Sequence, residues 1–191
     1  YAAEISTKGG LIRSWTLTRY KTWDQHQTQL VDFDKGGDFS LLFTSSDGKL
    51  INTRRLYFKS AFKNWSTVEL HGDQSYVLNL ILPLGEGKSI EKRFVFENGK
   101  YSFTASLVFK NIQDIISNYE YQVIWENGLR YAERNSVDES QSAMGYAYSG
   151  GERIEIDATS EKEPVERDIN GTTDWVATRN RYFGLAILST D

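Results

Sequence analysis

The side chains that could do chemistry are few and widely spaced. His26 and His71 are the two imidazoles of the chain, and either one beside a carboxylate would make a general base. They stand about 45 positions apart, one in a polar stretch and one at the end of a strand-like segment. Two surface histidines are the plainer reading. The run 152–168 carries seven acids (Glu152, Glu155, Asp157, Glu161, Glu163, Glu166 and Asp168) against Arg153, Lys162 and Arg167. It lacks the alternating spacing of a calcium loop and reads as the solvated face of a hairpin. Gly85-Glu86-Gly87-Lys88 is glycine-rich without the spacing of a phosphate loop, and reads as a strand turn. The sequence has no G-x-S-x-G elbow for a serine nucleophile. Tyr119, Tyr121 and Trp125 alternate with polar residues, so their rings would share one strand face. Such a face could line a cleft for a sugar or a lipid, although a sheet core accounts for it as well. These three are the candidate binding residues. No catalytic, cofactor-binding or metal-ligating residue is assigned, and no cofactor is expected.

Composition narrows the classes. The chain has 191 residues, no cysteine and a formal net charge of −4. Without cysteine there is no disulfide, thiol chemistry or thiolate-bound zinc. Lysine and arginine are scattered, which argues against a nucleic-acid partner. The longest apolar run, 183–188, is far short of the roughly 20 residues of a membrane helix, so the chain as given is expected to be soluble. Asn64-Trp65-Ser66 and Asn170-Gly171-Thr172 match the N-glycosylation acceptor pattern, a match that is common by chance.

The elements follow from period and punctuation. Residues 2–7 and 11–20 flank Lys8-Gly9-Gly10 and predict an opening hairpin. Strands are predicted over 29–33, 39–44, 50–59 and 66–71, with Asp47-Gly48 as a hairpin turn. Tyr76, Leu78, Leu80 and Leu82 alternate along a strand that ends near Pro83 and Gly85. Residues 89–97 and 101–110 flank Asn98-Gly99, a type I′ signal, and Tyr101, Phe103, Ala105, Leu107 and Phe109 share one face. A further strand is predicted over 119–126 and one short helix within 130–144. Residues 146–148 and 153–158 pair around Gly150-Gly151. In the last stretch Asp174 is read as the N-cap of a helical turn over 175–179. Residues 182–188 are read as a strand buried on both faces, with Trp175, Tyr182 and Phe183 in the core.

About a dozen strands with almost no helical period predict an all-β chain, a large antiparallel double-sheet sandwich with one or two short helices. No interior linker divides residues 1–191, which are read as one domain.

Three stretches carry a resemblance to a known family. They are Glu4-Ile5-Ser6-Thr7-Lys8-Gly9-Gly10-Leu11-Ile12-Arg13-Ser14-Trp15, then Phe94-Val95-Phe96 with Asn98-Gly99-Lys100-Tyr101-Ser102-Phe103, and Trp175-Val176-Ala177 followed by Tyr182-Phe183. In order and spacing the chain resembles the periplasmic domain of bacterial YidC-type membrane protein insertases. The resemblance implies a β-supersandwich of the galactose-mutarotase type, truncated at its C-terminal end. It also implies a parent at the periplasmic face of the inner membrane that inserts and helps fold membrane proteins, alone or with the Sec translocon. In that family the insertase work belongs to transmembrane helices, which this sequence lacks. The expectation is a non-enzymatic interaction or chaperone-like role. The alternative is a carbohydrate-binding or aldose-epimerase-like protein of the same fold, although neither histidine falls in a pattern that matches such an enzyme.

Overall fold

Period-two alternation bounded by turn residues is the commonest pattern in the chain, and it forms strands almost wherever it occurs. A computed structural model describes residues 1–62, 66–159 and 164–190. Among them the strands are β1 (Ala2–Ser6), β2 (Leu11–Lys21), β3 (Gln27–Val31), β4 (Ser40–Thr44), β5 (Leu50–Asn52), β6 (Lys59–Ser60), β7 (Ser75–Gly85), β8 (Lys88–Glu97), β9 (Phe103–Lys110), β10 (Gln122–Ile124), β11 (Met144–Ser149), β12 (Glu152–Asp157), β13 (Thr173–Arg179) and β14 (Gly184–Leu188). One short helix, α1 (Ser136–Ser140), and 3-10 turns at Thr53–Arg55 and Ser117–Tyr119 complete the list. The sheets run β1-β2-β3, β10-β4-β5, β6-β7-β8-β9 and β12-β11-β13-β14. The expected all-β, antiparallel class is what the chain adopts.

The chain divides into two compact units, each assembled from separated segments. One comprises Glu4–Arg13 and Gly37–Glu126, the other Tyr1–Ala3, Ser14–Gly36 and Asn127–Asp191.

In the first of these units the core lies on one face of the β6–β9 sheet. The alternation read from the sequence holds: Leu78 is opposite Phe94, Leu80 opposite Lys92 and Leu82 opposite Ile90. On the other side of β8, Phe103 pairs with Phe96, Ala105 with Phe94 and Phe109 with Ile90. Phe94 is fully buried. Its ring lies 5.8 Å from that of Phe39, 6.2 Å from Phe96 and 5.9 Å from Phe103. Ring pairs at such distances contribute roughly 0.5–1.5 kcal/mol each beyond the area they bury. Gly37 lies close against the backbone of β2 at Ile12 and Arg13. Its φ is +85°, and a Cβ there would stand 2.3 Å from the Ile12 carbonyl oxygen and 2.6 Å from Arg13 Cα. Gly37→Ala should therefore cost about 2–4 kcal/mol, since backbone must move as well as adopt a left-handed conformation. At Gly48, φ is +81° with open space around the missing Cβ, so Gly48→Ala should cost only about 1–2 kcal/mol. Urea midpoints of the two variants test this, and equal shifts would refute it.

In the second unit β11 is the hub of its sheet. It pairs with β12 through the two-residue Gly150-Gly151 turn, as the sequence predicted, and with β13 on its other side. Ala147 on β11 is 1% exposed. Trp15 stacks on Tyr1 at 4.2 Å, and Leu17 and Val31 are buried nearby in the chain.

Several expectations are corrected. Residues 175–179 are not a helical turn, because they pair with both β11 and β14 as strand β13, and Asp174 is a strand residue and not an N-cap. Two-sided ladder pairing overrides the local capping signal. The strand after it begins at Gly184 and is not buried on both faces: Leu188 is 62% and Tyr182 50% exposed. β14 forms the sheet's edge, so one side of it has no ladder partner among the described residues. Tyr182 is thus no core residue, whereas Trp175 and Phe183 are half-buried. Residues 66–70 form no strand. The β8–β9 connection is not a two-residue type I′ turn, since only Gly99 of the Asn98-Gly99 pair has positive φ, and Phe96 pairs with Phe103. Tyr101 consequently falls outside β9 and is 52% exposed.

Candidate functional site

The candidate binding residues do not form the strand face expected of them. Tyr119 closes a 3-10 turn with φ +58° and is 72% exposed. The strand of this segment is only β10, three residues long. Tyr121 precedes it, half in solvent, with its ring 4.6 Å from Phe109. Trp125 follows it and is half-buried. Positive φ at Asn118 and Tyr119 breaks the alternation that would have aligned Tyr119 with the other two.

The histidines lie on the surface. His26 Nδ1 is 3.0 Å from Asp24, and His71 Nε2 is 3.7 Å from Glu69. Each is a local contact within two residues, without an element to fix a substrate beside it. The acidic run is β12 and an irregular segment after it, with Glu161, Lys162 and Glu163 outside the described residues. Arg153 and Glu155 pair at 2.6 Å along β12. No group of three metal-ligating side chains occurs among the described residues. Gly85 and Gly87 form the β7–β8 turn. Of the glycosylation patterns, Asn64 and Trp65 lie outside the described residues, and Asn170 is in an irregular segment.

The chemically unusual groups are ones whose pattern in the sequence suggested nothing. Lys92 occupies a core position of β8, fully buried. Its Nζ donates to the carbonyl oxygens of Gly9 and Gly10, both at 3.0 Å, and to that of Phe39. It also lies 5.3 Å from the centre of the Phe39 ring and 5.2 Å from that of Phe58. Three donors meet three acceptors, and the two ring faces favour the cation. Burial works against the charge and lowers its pKa to about 7. A Cβ on Gly10 would come 3.1 Å from Lys92 Cδ and 3.2 Å from the Phe58 ring. The Gly-Gly turn is thus the part that lets backbone carbonyls reach the ammonium.

The other unit has a counterpart with a carboxylate. Glu139 on α1 is fully buried and Asn180 is 3% exposed. Glu139 Oε2 accepts the backbone N–H groups of Ala132 at 2.8 Å and Glu133 at 2.9 Å, and Oε1 accepts the Asn180 amide at 2.7 Å. That amide also donates to the Arg130 carbonyl at 3.2 Å, and its oxygen accepts the N–H groups of Tyr182 and Phe183. The β13–β14 turn is thereby tied to the 130–139 segment.

One sheet face of the same unit carries a cluster of aromatic and arginine side chains. Tyr148 stacks on Trp175 across the β11–β13 ladder at 5.8 Å with an interplanar angle of 9°. Tyr146, Trp175, Arg153, Arg179 and Ala186 line a shallow depression of about 350 Å³. Arg179 Nε donates to the Tyr146 hydroxyl at 3.0 Å, and the guanidinium groups of Arg153 and Arg179 both lie over the Tyr146 ring. Aromatic faces with arginine at their margin suit contact with another macromolecule.

Fold and sites together define an all-β, antiparallel sheet protein whose buried charges are bound to its own backbone. The YidC periplasmic domain family matches the chain over residues 1–191, and the chain belongs to that family. Among curated relatives, "Membrane protein insertase YidC" of Chlorobaculum tepidum is 33% identical over 188 residues, covering 98% of this chain and 32% of the relative. The proteins of the same name from Pelodictyon phaeoclathratiforme and Chlorobium luteolum are each 32% identical, covering 98% and 100% of this chain. The chain therefore spans about a third of the length of the curated relatives it matches. No solved structure matches it.

Proposed function

We propose that the chain works as a non-catalytic interaction module, on the periplasmic side of the inner membrane, of a protein that inserts and helps fold membrane proteins. The observation that carries this reading is the family match along the whole of residues 1–191, with relatives that bear the insertase name. The chemistry agrees with it, since Lys92 and Glu139 are saturated by the chain's own groups. Its partners are membrane proteins undergoing insertion and components of the Sec translocon, reached through the longer parent. Tyr119 and Tyr121 are the contact rings on one unit, and the Tyr146–Trp175 face is the contact surface on the other.

A photo-crosslinking residue placed at Tyr119, Tyr121 or Tyr146 in the full-length parent tests this in membranes that are synthesising a client protein. Crosslinks to the client or to a translocon subunit are expected, together with slower client insertion when the segment is deleted. Absence of crosslinks at all three positions with unchanged insertion would overturn the reading. Acceleration of α-glucose or α-galactose anomer exchange in a polarimeter would do so as well, in favour of an epimerase.

A further inference from the structure

Lys92 stands where the alternation of β8 calls for an apolar side chain, between Ile90 and Phe94 on the buried face. The residues across the ladder from it are Leu80 on β7 and Leu107 on β9. Its hydrogen-bond partners are backbone carbonyls and no carboxylate. The charged groups on the elements around it are engaged elsewhere. Arg54, whose backbone touches the Gly9 turn, pairs with Glu126 at 3.1 Å. Asp38, next to Phe39, accepts the Glu126 N–H at 2.8 Å. Lys8 precedes the turn and is exposed. On β8 itself Glu91 takes the other face and pairs with Lys110 on β9 at 2.7 Å, and Arg93 is exposed. The near faces of β7 and β9 present only apolar residues to the ammonium.

We propose that lifting of the Gly9–Gly10 turn away from Lys92 is coupled to proton uptake, so that the opening hairpin is an acid-loosened clasp. With the turn seated, the amine is shut away from water and has no counter-ion among the described residues, which disfavours its charged form. Its pKa falls from 10.5 to about 7. With the turn lifted, water reaches Nζ and its ordinary proton affinity returns. The lifted form thus binds more protons at any pH between those two values. Opening becomes easier as pH falls through that window, by up to about tenfold per pH unit, and levels off below the lower value. The turn suits such motion. It is held by the Gly9 N–H to the Leu56 carbonyl at 2.7 Å, by the Phe58 N–H to the Thr7 carbonyl at 2.8 Å, and by its own two carbonyls on Lys92.

Amide hydrogen exchange of the Gly9 N–H on the 191-residue chain tests the proposal, with rates corrected for intrinsic exchange. Protection is expected to fall about tenfold or more as pH is lowered from about 9 to about 7. The Val95 amide, in the β7–β8 ladder, serves as the control for global opening. In Lys92→Met the Gly9 trend should vanish. Protection at Gly9 that is flat or rises as pH falls would overturn the proposal. If Lys92→Met does not fold, the wild-type chain still decides, because the Lys92 Cε resonance should titrate near 7 and not near 10.5. A midpoint at the higher value would refute the clasp.

Discussion

Lys92→Ala is expected to lower the stability of the chain by about 3–5 kcal/mol, measured by urea unfolding near neutral pH. Two effects add. Removing the side chain leaves a void among Leu80, Leu107 and Phe58. It also leaves the Gly9, Gly10 and Phe39 carbonyls without their donor, a loss that removal of the desolvated amine partly offsets. Lys92→Met fills most of the volume and removes the buried charge, so its cost should be smaller, and dependent on pH. The sign follows from the depressed pKa. The unfolded chain binds a proton at Lys92 up to about 10.5, the folded chain only up to about 7. Between those values unfolding takes up a proton, so this lysine makes the folded state more stable as pH rises and less stable as pH falls. The slope is at most about 1.4 kcal/mol per pH unit. The deficit of Lys92→Met relative to wild type should therefore be least below about pH 7 and grow as pH rises above it. A deficit that is constant from about pH 6 to 9 would show that Lys92 is not buried without a counter-ion.

Why this residue escaped the sequence reading is a matter of period. A lysine at a core position looks like one more polar residue, and Ser89 to Glu97 was legible as a strand whichever face Lys92 took. What makes the position special is contact with Gly9, Gly10 and Phe39, which are 83, 82 and 53 residues away in the chain. No local pattern encodes that. The Gly9-Gly10 pair did register as a turn, and the requirement that its carbonyls face an ammonium is a reason for two glycines that turn formation alone does not supply. Where the determinant is local, the sequence was clear: the alternation of β7 and β9, the Asp47-Gly48 and Gly150-Gly151 hairpins and the short helix in 130–144. Where two signals competed, the non-local one prevailed. Asp174 is a good N-cap, but Trp175 to Arg179 gain a ladder on both sides. Tyr119 alternates with Tyr121 in sequence, but positive φ at Asn118 and Tyr119 ends the alternation before the strand begins.

The last stretch of the chain shows the same competition from the opposite side. The apolar run 182–188 predicts Tyr182 and Phe183 in the core, yet Tyr182 is half in solvent, and the residue that fixes them is Asn180. Its orientation is decided by the network and not by its own preference. The oxygen must face the N–H groups of Tyr182 and Phe183, so the nitrogen must face Glu139 and Arg130. An amide held in this way cannot flip to suit a changed partner.

That constraint gives the second large effect. Asn180→Ala should cost about 3–4 kcal/mol, because it strips a buried carboxylate of one donor and leaves the turn amides unbound. Glu139→Gln changes almost no volume, yet should cost about 2 kcal/mol, since its new NH2 must face either the fixed Asn180 NH2 or the backbone N–H groups of Ala132 and Glu133. Asn180→Asp alone sets two buried carboxylates against each other and should cost more, about 3–5 kcal/mol. In the double variant Glu139→Gln with Asn180→Asp, donor and acceptor are exchanged across the same pair. The amide can then donate to the new carboxylate, while the other carboxylate oxygen keeps the turn amides. Its total cost should fall short of the sum of the single variants by about 1–3 kcal/mol. The Arg130 carbonyl loses its donor in the exchange, so the rescue stops short of wild type. A strictly additive double-variant cycle in urea unfolding would mean that Glu139 and Asn180 act independently, and that the β13–β14 turn is held by something other than this pair.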